Sequence, residues 1–440
     1  MIIRNIIILL FLSFFNATVG QMPAFLSNKL QNTLDSLLVT SNTKGLSACI
    51  IDPRNGTWRG TAGVSFPNNS IKPEMQFGIA SNTKLFTGIM ILILEENGLL
   101  HLDDSIYHYL PKYQNIDTTI SIRELLNHTS GIKDVNETPG YPDSIMNNTS
   151  RVYSANEIIQ WIGPPSFQHG KGWEYSNTNY LLAGMIAEKV TGKKISTLIR
   201  DSILIPLKLD STFFDVAEPV MGEKANPWHL GVNISPIPRI SLNSAAGAAG
   251  AMYSNAGDMA NWYQALMNGK IINANSMIEL TTFVGSGNYS IGLAKQKLGG
   301  RTVYIHGGDI RGYRSQMLYD TALNISIALL CNSNPAPVTL IARELLLSIA
   351  NYAPNGIAGG EINEIPVKVF PNPSNGIFNL TLPRGHQGYL EIFDQTGRLI
   401  DRTQDTIINI SQQADGLYWL LCNDPKNKYK IPLIKFDYSY

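Results

Sequence analysis

The sequence predicts an α+β protein with a small all-β module at its C-terminus, and three observations carry that prediction. A hairpin near the start and several strand-like runs around residue 300 flank a helical middle, so both ends of the first part feed one sheet. That sheet has helices on its faces and a helical subdomain inserted. Residues 353–366 (APNGIAGGEINEIP) are rich in Gly and Pro and read as a linker. Beyond them the pattern changes to short alternating segments at regular spacing, which predicts a small β-sandwich.

The elements follow in chain order. Arg4, the run from Ile6 to Phe15 and the small residues up to Gly20 have the layout of a secretory signal peptide over 1–20. Residues 24–40 repeat apolar positions with helical period. Leu46 to Asp52 and Trp58 to Val64 read as strands around a turn carrying Pro53, Asn55 and Gly56. Residues 81–97 form a largely apolar helix, buried on most sides and stopped by Gly98. Thr178 to Val190 is a second strong helix, stopped by Gly192. Strands are expected at 289–293, 302–305, 315–318 and 324–330, and a helix at 343–352. The C-terminal segments are VKVF, IFNLTL, YLEIFD, IINI, LYWLLC and KIPLIKF.

Lys and Arg number 34, as do Asp and Glu, so no net charge steers the chain toward nucleic acid or an anionic surface. Apolar residues reach 44%, enough for a large core. No later segment has the roughly 18 unbroken apolar residues of a spanning helix, so the mature chain is expected to carry none. No His, Asp and Glu cluster has metal-ligand spacing, and no cofactor is expected. Three cysteines cannot form a disulfide framework, and Cys49 and Cys331 are read as buried thiols rather than a bond.

Chemistry concentrates in three places. In Ser81-Asn82-Thr83-Lys84, a helix opening at Ser81 puts Lys84 on the same face. The apolar helix behind it desolvates the amine, making Lys84 a candidate proton acceptor for the Ser81 hydroxyl. Tyr175-Ser176-Asn177 precedes a helix; Tyr can move a proton and Asn can bind an amide. His306-Gly307-Gly308-Asp309 ends a strand, where two glycines admit a ligand to the backbone. Decoys exist: Ser41-Asn42-Thr43-Lys44 ends a helix and reads as an exposed connection, and Tyr113-Gln114-Asn115 and Tyr253-Ser254-Asn255 repeat the second pattern. His128 reads as a loop-packing residue.

Taken in order, SNTK, YSN and HGG resemble the motifs of the penicillin-recognising serine hydrolases. The flanks SIRELLNHTSGI, YSNTNYLLAGMIAEKVTG and HGGDIRGYRS resemble those of class C β-lactamases and secreted D-alanyl-D-alanine carboxypeptidases. The resemblance spans roughly 24–350 and implies an antiparallel β-lactamase/transpeptidase-like sheet flanked by helices, in a hydrolase domain over 21–352. It implies that Ser81 attacks a carbonyl and is acylated, and that Lys84 and Tyr175 share proton transfer. It further implies that Asn177 holds the substrate amide or the Lys84 amine, and that His306, Gly307 and Gly308 line the substrate. The backbone N–H groups of Ser81 and Asp309 would form the oxyanion hole. One departure stands out. Class C β-lactamases carry Lys-Thr-Gly where this chain has His-Gly-Gly, so a fixed cation and a hydroxyl for a substrate carboxylate are missing.

VFPNPSNGIFNL, YLEIFDQTGRLI and DGLYWLL, within 367–440, resemble the sorting domain of Bacteroidetes type IX secretion substrates. That implies a secreted or surface location and the type IX secretion machinery as a partner. The expected activity is acyl-enzyme hydrolysis, most like a D-alanyl-D-alanine carboxypeptidase, on a small peptide, β-lactam or ester. The alternatives are a broad esterase or weak β-lactamase, and a non-catalytic binder of peptidoglycan-like ligands. A strict carboxypeptidase would use Arg311 or Arg314 to clamp the terminal carboxylate.

Overall fold

Leu26, Leu30, Leu34 and Leu37 recur at helical spacing on α1 (Ala24–Thr40), and all four are buried. The face they make lies against the hairpin β1 (Gly45–Asp52) and β2 (Gly56–Phe66). Asp52 closes that hairpin: its buried carboxylate accepts from the Arg54 and Asn55 side chains and from the Arg54 backbone, each at 2.8 Å. A short strand β3 (Asn69–Ser70) edges β2, and α2 (Thr83–Glu96) follows, buried over eleven of its positions. The middle of the chain is helical, with α3 (Asn177–Thr191), α4 (Ile240–Gly250) and α5 (Ala256–Met267) as its longest pieces. The chain then returns to the sheet as β4 (Ala294–Leu298), β5 (Arg301–Ile310), β6 (Tyr313–Asp320) and β7 (Ile325–Cys331), and closes with α6 (Val338–Ala350).

This computed structural model describes residues 20–350, 352, 367–370, 372, 374–382, 388–394, 398–414, 416–423 and 428–435. It divides the chain into two compact units, Met1–Pro354 and Asn355–Tyr440. The expected signal peptide, apart from Gly20, and the expected linker lie outside the described residues.

The seven strands of the first unit run in the order β3-β2-β1-β7-β6-β5-β4, each pair antiparallel. The two ends of the chain meet where β1 pairs β7, with Cys49 opposite Ala328 and Leu46 opposite Cys331. Alternation sorts side chains to two faces. Leu46, Ala48, Ile50, Ile327, Leu329 and Cys331 face α1 and α6; Cys49, Ile51, Ala328 and Leu330 face the cluster that holds α2 and α5. Cys49 and Cys331 therefore lie on opposite faces as free thiols, and burial pushes both up to about 12.

Two strand boundaries differ from the sequence reading. Residues 289–293 are not a strand: Tyr289, Ile291 and Leu293 are buried as a loop, and Gly292 has φ +72°, where a Cβ would meet Leu85 Cα at 2.6 Å. The strand is the polar stretch just after it, because β4 is a sheet edge, and its lysines 295 and 297 lie at the exposed positions such edges favour. Nor do the glycines end β5. Gly307 and Gly308 continue it, paired with Gln316 and Ser315 of β6. The last helix also starts earlier than expected, at Val338.

The second unit, taken by itself, is the expected pair of small sheets. Lys368–Phe370 (β8), Ile377–Thr381 (β9) and Ile407–Asn409 form one; Tyr389–Phe393, Leu399–Thr403, Gly416–Asn423 and Lys428–Lys435 form the other. Phe378, Leu390, Ile392, Leu420 and Leu433 alternate into a common core.

Candidate active site

Ser81 sits in a single 3-10 turn, Ala80–Asn82, at the mouth of α2. Ala80 has φ +49°, a left-handed conformation rarely taken by a residue with a side chain. Buried bonds hold the turn there. Asn82 Nδ2 donates to Ser315 Oγ at 2.8 Å, and that hydroxyl donates to the Ile79 carbonyl at 2.7 Å. On the other side the Ile79 N–H reaches the Met252 carbonyl at 2.9 Å, and the Met252 N–H reaches Thr83 Oγ1 at 3.2 Å. β5 presses on the turn so closely that a Cβ at Gly308 would lie 2.2 Å from both the Ile79 carbonyl oxygen and Ser315 Oγ. Gly307 has no comparable neighbour; its nearest approach would be 3.5 Å.

One helical turn on, Lys84 is fully buried, and its Nζ lies 3.0 Å from Ser81 Oγ. The amine also donates to Asn177 Oδ1 at 2.7 Å and to the Ala249 carbonyl at 2.9 Å. Burial pulls its pKa down to about 7, against an opposing pull from the Asp134 carboxylate. A neutral amine has two N–H bonds and one lone pair. With both N–H bonds given to Asn177 and Ala249, the lone pair is left for the Ser81 hydroxyl. Asn177 spends its other end on Asp134, donating from Nδ2 to Oδ2 at 2.7 Å. Of the two expected tasks for Asn177, this geometry serves the amine.

The Tyr175 hydroxyl hydrogen-bonds Ser81, and burial raises its pKa, so the phenol stays protonated at neutral pH. Its ring lies under Lys84 Nζ, 4.9 Å from ring centre to nitrogen. Behind it, His128 is fully buried with its ring 4.5 Å from that of Tyr175 and 4.6 Å from that of Tyr289. His128 Nδ1 accepts from the Ser176 N–H and from Asn179 Nδ2, both at 3.2 Å, so the histidine does pack the loop and in doing so fixes the segment carrying Tyr175. His306 is buried beside them. Its Nδ1 lies 2.7 Å from the Gly307 carbonyl and must be the protonated nitrogen, leaving Nε2 to accept from the Tyr289 hydroxyl at 2.8 Å. Burial and the nearby Lys84 pull its pKa down to about 3, so it is neutral.

Ser81, Asn177 and Asp309 open onto one cleft of about 290 Å³, whose walls include Tyr141, Ile145, Met146 and Leu181. The sequence-predicted residues Ser81, Lys84, Tyr175, Asn177, His306, Gly307, Gly308 and Asp309 thus gather around one turn. Arg314 does not join them as a free cation: it pairs with Asp309 at 2.8 Å and donates to the Ala336 carbonyl. Sequence reading missed Asp134, Tyr289 and the Ala249 carbonyl. Asp134 stands two residues after the quoted SIRELLNHTSGI, beside a segment already singled out, whereas Ala249 acts through its backbone carbonyl, which no side-chain pattern marks.

Residues 30–351 match the beta-lactamase family model. The chain belongs to the beta-lactamase family. Residues 368–435 match the secretion system C-terminal sorting domain, which makes the second unit a type IX sorting module and the protein an exported one, destined for the cell surface or the medium. Among curated relatives of this beta-lactamase-family chain is Protein flp of Staphylococcus aureus (strain MW2), 27% identical over 347 residues, or 74% of this chain and 68% of the relative. Two solved structures are similar. The D-stereospecific amidohydrolase from Streptomyces sp. is 29% identical with TM-score 0.65, covering 74% of this chain and 99% of that one. The D-amino acid amidase from Ochrobactrum anthropi SV3, complexed with L-phenylalanine, is 26% identical with TM-score 0.68 over the same shares. Family and neighbours together make this unit an acyl-enzyme serine hydrolase in fold and class. No described helix is long and apolar enough to cross a membrane.

Proposed function

We propose that the protein is an exported amidohydrolase that cleaves amide bonds at D-configured residues through an acyl-enzyme on Ser81. Lys84 is the base: its lone pair faces the Ser81 hydroxyl, and its pKa near 7 leaves much of it neutral at working pH. Tyr175, kept protonated, passes its proton to the departing amine and takes back the one that Lys84 removed from Ser81, so the neutral base and the phenol are both restored. The Ser81 and Asp309 N–H groups receive the oxyanion, a contribution of about 3–4 kcal/mol per donor. A binding protein would have no use for a desolvated amine aimed at a hydroxyl.

The observation that carries the substrate class is the neutral His306 beside the bare Gly307. Neither offers a charge or hydroxyl to a free carboxylate on the leaving side. Strict D-alanyl-D-alanine carboxypeptidase or β-lactamase action leans on such a contact; release of an uncharged amine does not. The two amidases named above, whose names speak of D-configured substrates, support the same choice. Export by the sorting module points to soluble substrates outside the cell.

The test compares kcat/KM for an acyl-D-Ala-D-Ala peptide, its C-terminal amide and a short-chain ester of the same acyl group. The amide is expected to be cleaved at least as well as the free acid. A preference for the free carboxylate above about a thousandfold, roughly 4 kcal/mol, would overturn the reading in favour of a strict carboxypeptidase.

A further inference from the structure

The cleft leaves Ser81 in one direction. Ser81, Asn177 and Asp309 line it, and neither Tyr175 nor His306 does. A departing amine must reach a proton donor, and the hydroxyl that touches Ser81 is that of Tyr175. The leaving half of a substrate therefore belongs on the Tyr175 and His306 side, and the cleft receives the acyl half.

Its wall is apolar along Tyr141, Ile145, Met146 and Leu181, and then changes character at Arg311. Arg311 Nε is buried without a hydrogen-bond partner, and Nη1 has only the Met146 sulfur, at 3.8 Å. No ion pair engages Arg311 among the described residues. Arg239 stands directly behind. It donates to the Arg311 carbonyl and to the Tyr253 hydroxyl, its guanidinium lies 5.0 Å from the Tyr313 ring centre, and its Nη2 is likewise buried and unpartnered. Both arginines line a small annex that continues the cleft past Met146 and Leu242. The carboxylate on the cleft wall, Asp309, is already held by Arg314 and Asn334, and Asp215, which acts on Tyr313 from the other side, is held by Asn243. Arg311 lines the cleft itself, with its carbonyl held from behind by Arg239, and its guanidinium suits a carboxylate, whose oxygens match its geometry.

Resting on the hydrolase reading above, we infer that this end of the cleft is an anionic acyl subsite: Arg311, backed by Arg239, takes a carboxylate carried on the acyl half of the substrate. The preferred acyl donors have an apolar body adjoining the scissile carbonyl and a carboxylate beyond it. A cationic or neutral group in the same place is the poorer substrate.

The experiment uses the full chain and a matched pair, N-succinyl- and N-acetyl-D-phenylalanine p-nitroanilide. The wild type is expected to favour the succinyl compound at least tenfold in kcat/KM, mostly through KM, with the preference shrinking as salt rises. Arg311→Gln should bring the ratio to within about twofold, and Arg311→Lys should keep part of it. Labelling of Ser81 by a fluorophosphonate checks that each variant is folded. Equal cleavage of the two compounds by the wild type, or a full preference surviving in labelled Arg311→Gln, overturns the subsite alone. Failure to cleave either compound, with Ser81 also unlabelled, overturns the hydrolase reading and the subsite with it.

Discussion

Residues 41–44 and 81–84 both read Ser-Asn-Thr-Lys, and the chain treats them in opposite ways. Ser41 caps the C-terminal end of α1, and its hydroxyl turns back to donate to the Leu37 carbonyl. Asn42 takes φ +50°, which breaks the helical path, and the Lys44 amine ends 5.3 Å from the Trp228 ring centre. Ser81 instead stands where a helix begins, so the residue three places on rises over it and is carried into the core. The same four side chains yield a connection in one place, with only Asn42 exposed and Thr43 buried rather than the fully exposed stretch expected, and a desolvated hydroxyl–amine pair in the other. What differs is the direction of the helix relative to the serine and what lies behind the lysine.

Exchanging the two copies as mutational targets gives the largest expected contrast. Ser81→Ala should abolish covalent labelling by a fluorophosphonate and Lys84→Ala should lower kcat by at least about a thousandfold, because each removes one member of a coupled unit. Ser41→Ala and Lys44→Ala should leave both measurements within about twofold. Labelling that survives in Ser81→Ala breaks the comparison outright.

A smaller effect separates the two glycines opposite the turn. Gly308→Ala drives a methyl into the Ile79 carbonyl and Ser315, and should cost about 2–4 kcal/mol in denaturant unfolding. Gly307→Ala meets nothing closer than 3.5 Å and should cost under about 1 kcal/mol. Equal losses would mean that β5 does not shape the turn.

The smallest effect concerns pH. Lys84 acts when neutral, so kcat/KM should rise with pH through about 7 and level off above it. Asp134 stabilises the ammonium, so Asp134→Asn should move that rise to lower pH. An acid limb that stays in place in the variant would remove Asp134 from the lysine's electrostatics.

Local pattern explains what could be read from sequence. Ser81 with Lys84, and Tyr175 with Asn177, are close in sequence and attached to helices of clear period, so their pairing survives without a structure. Asp134 and Tyr289 act from loops, and nothing in their neighbours' periodicity marks them; only the fold brings Asp134 to Asn177 and Tyr289 to His306. The same limit misplaced the edge strand. Tyr289, Ile291 and Leu293 are apolar because they fill the core from a loop, whereas β4 is polar because one of its edges is unpaired. The short helices between 106 and 160 have too few turns to show a period.

The placement of Cys49 and Cys331 has a consequence for a protein that leaves the cell. The route outward crosses an oxidising compartment, where thiols at ordinary pKa are open to attack. Once folded, these two have the sheet between them and almost no thiolate at neutral pH, so neither an oxidant nor a partner thiol finds a reactive sulfur. The hazard is confined to the unfolded chain. How quickly β1 pairs with β7 then decides how much of the exported protein escapes wrong sulfur chemistry at these two positions.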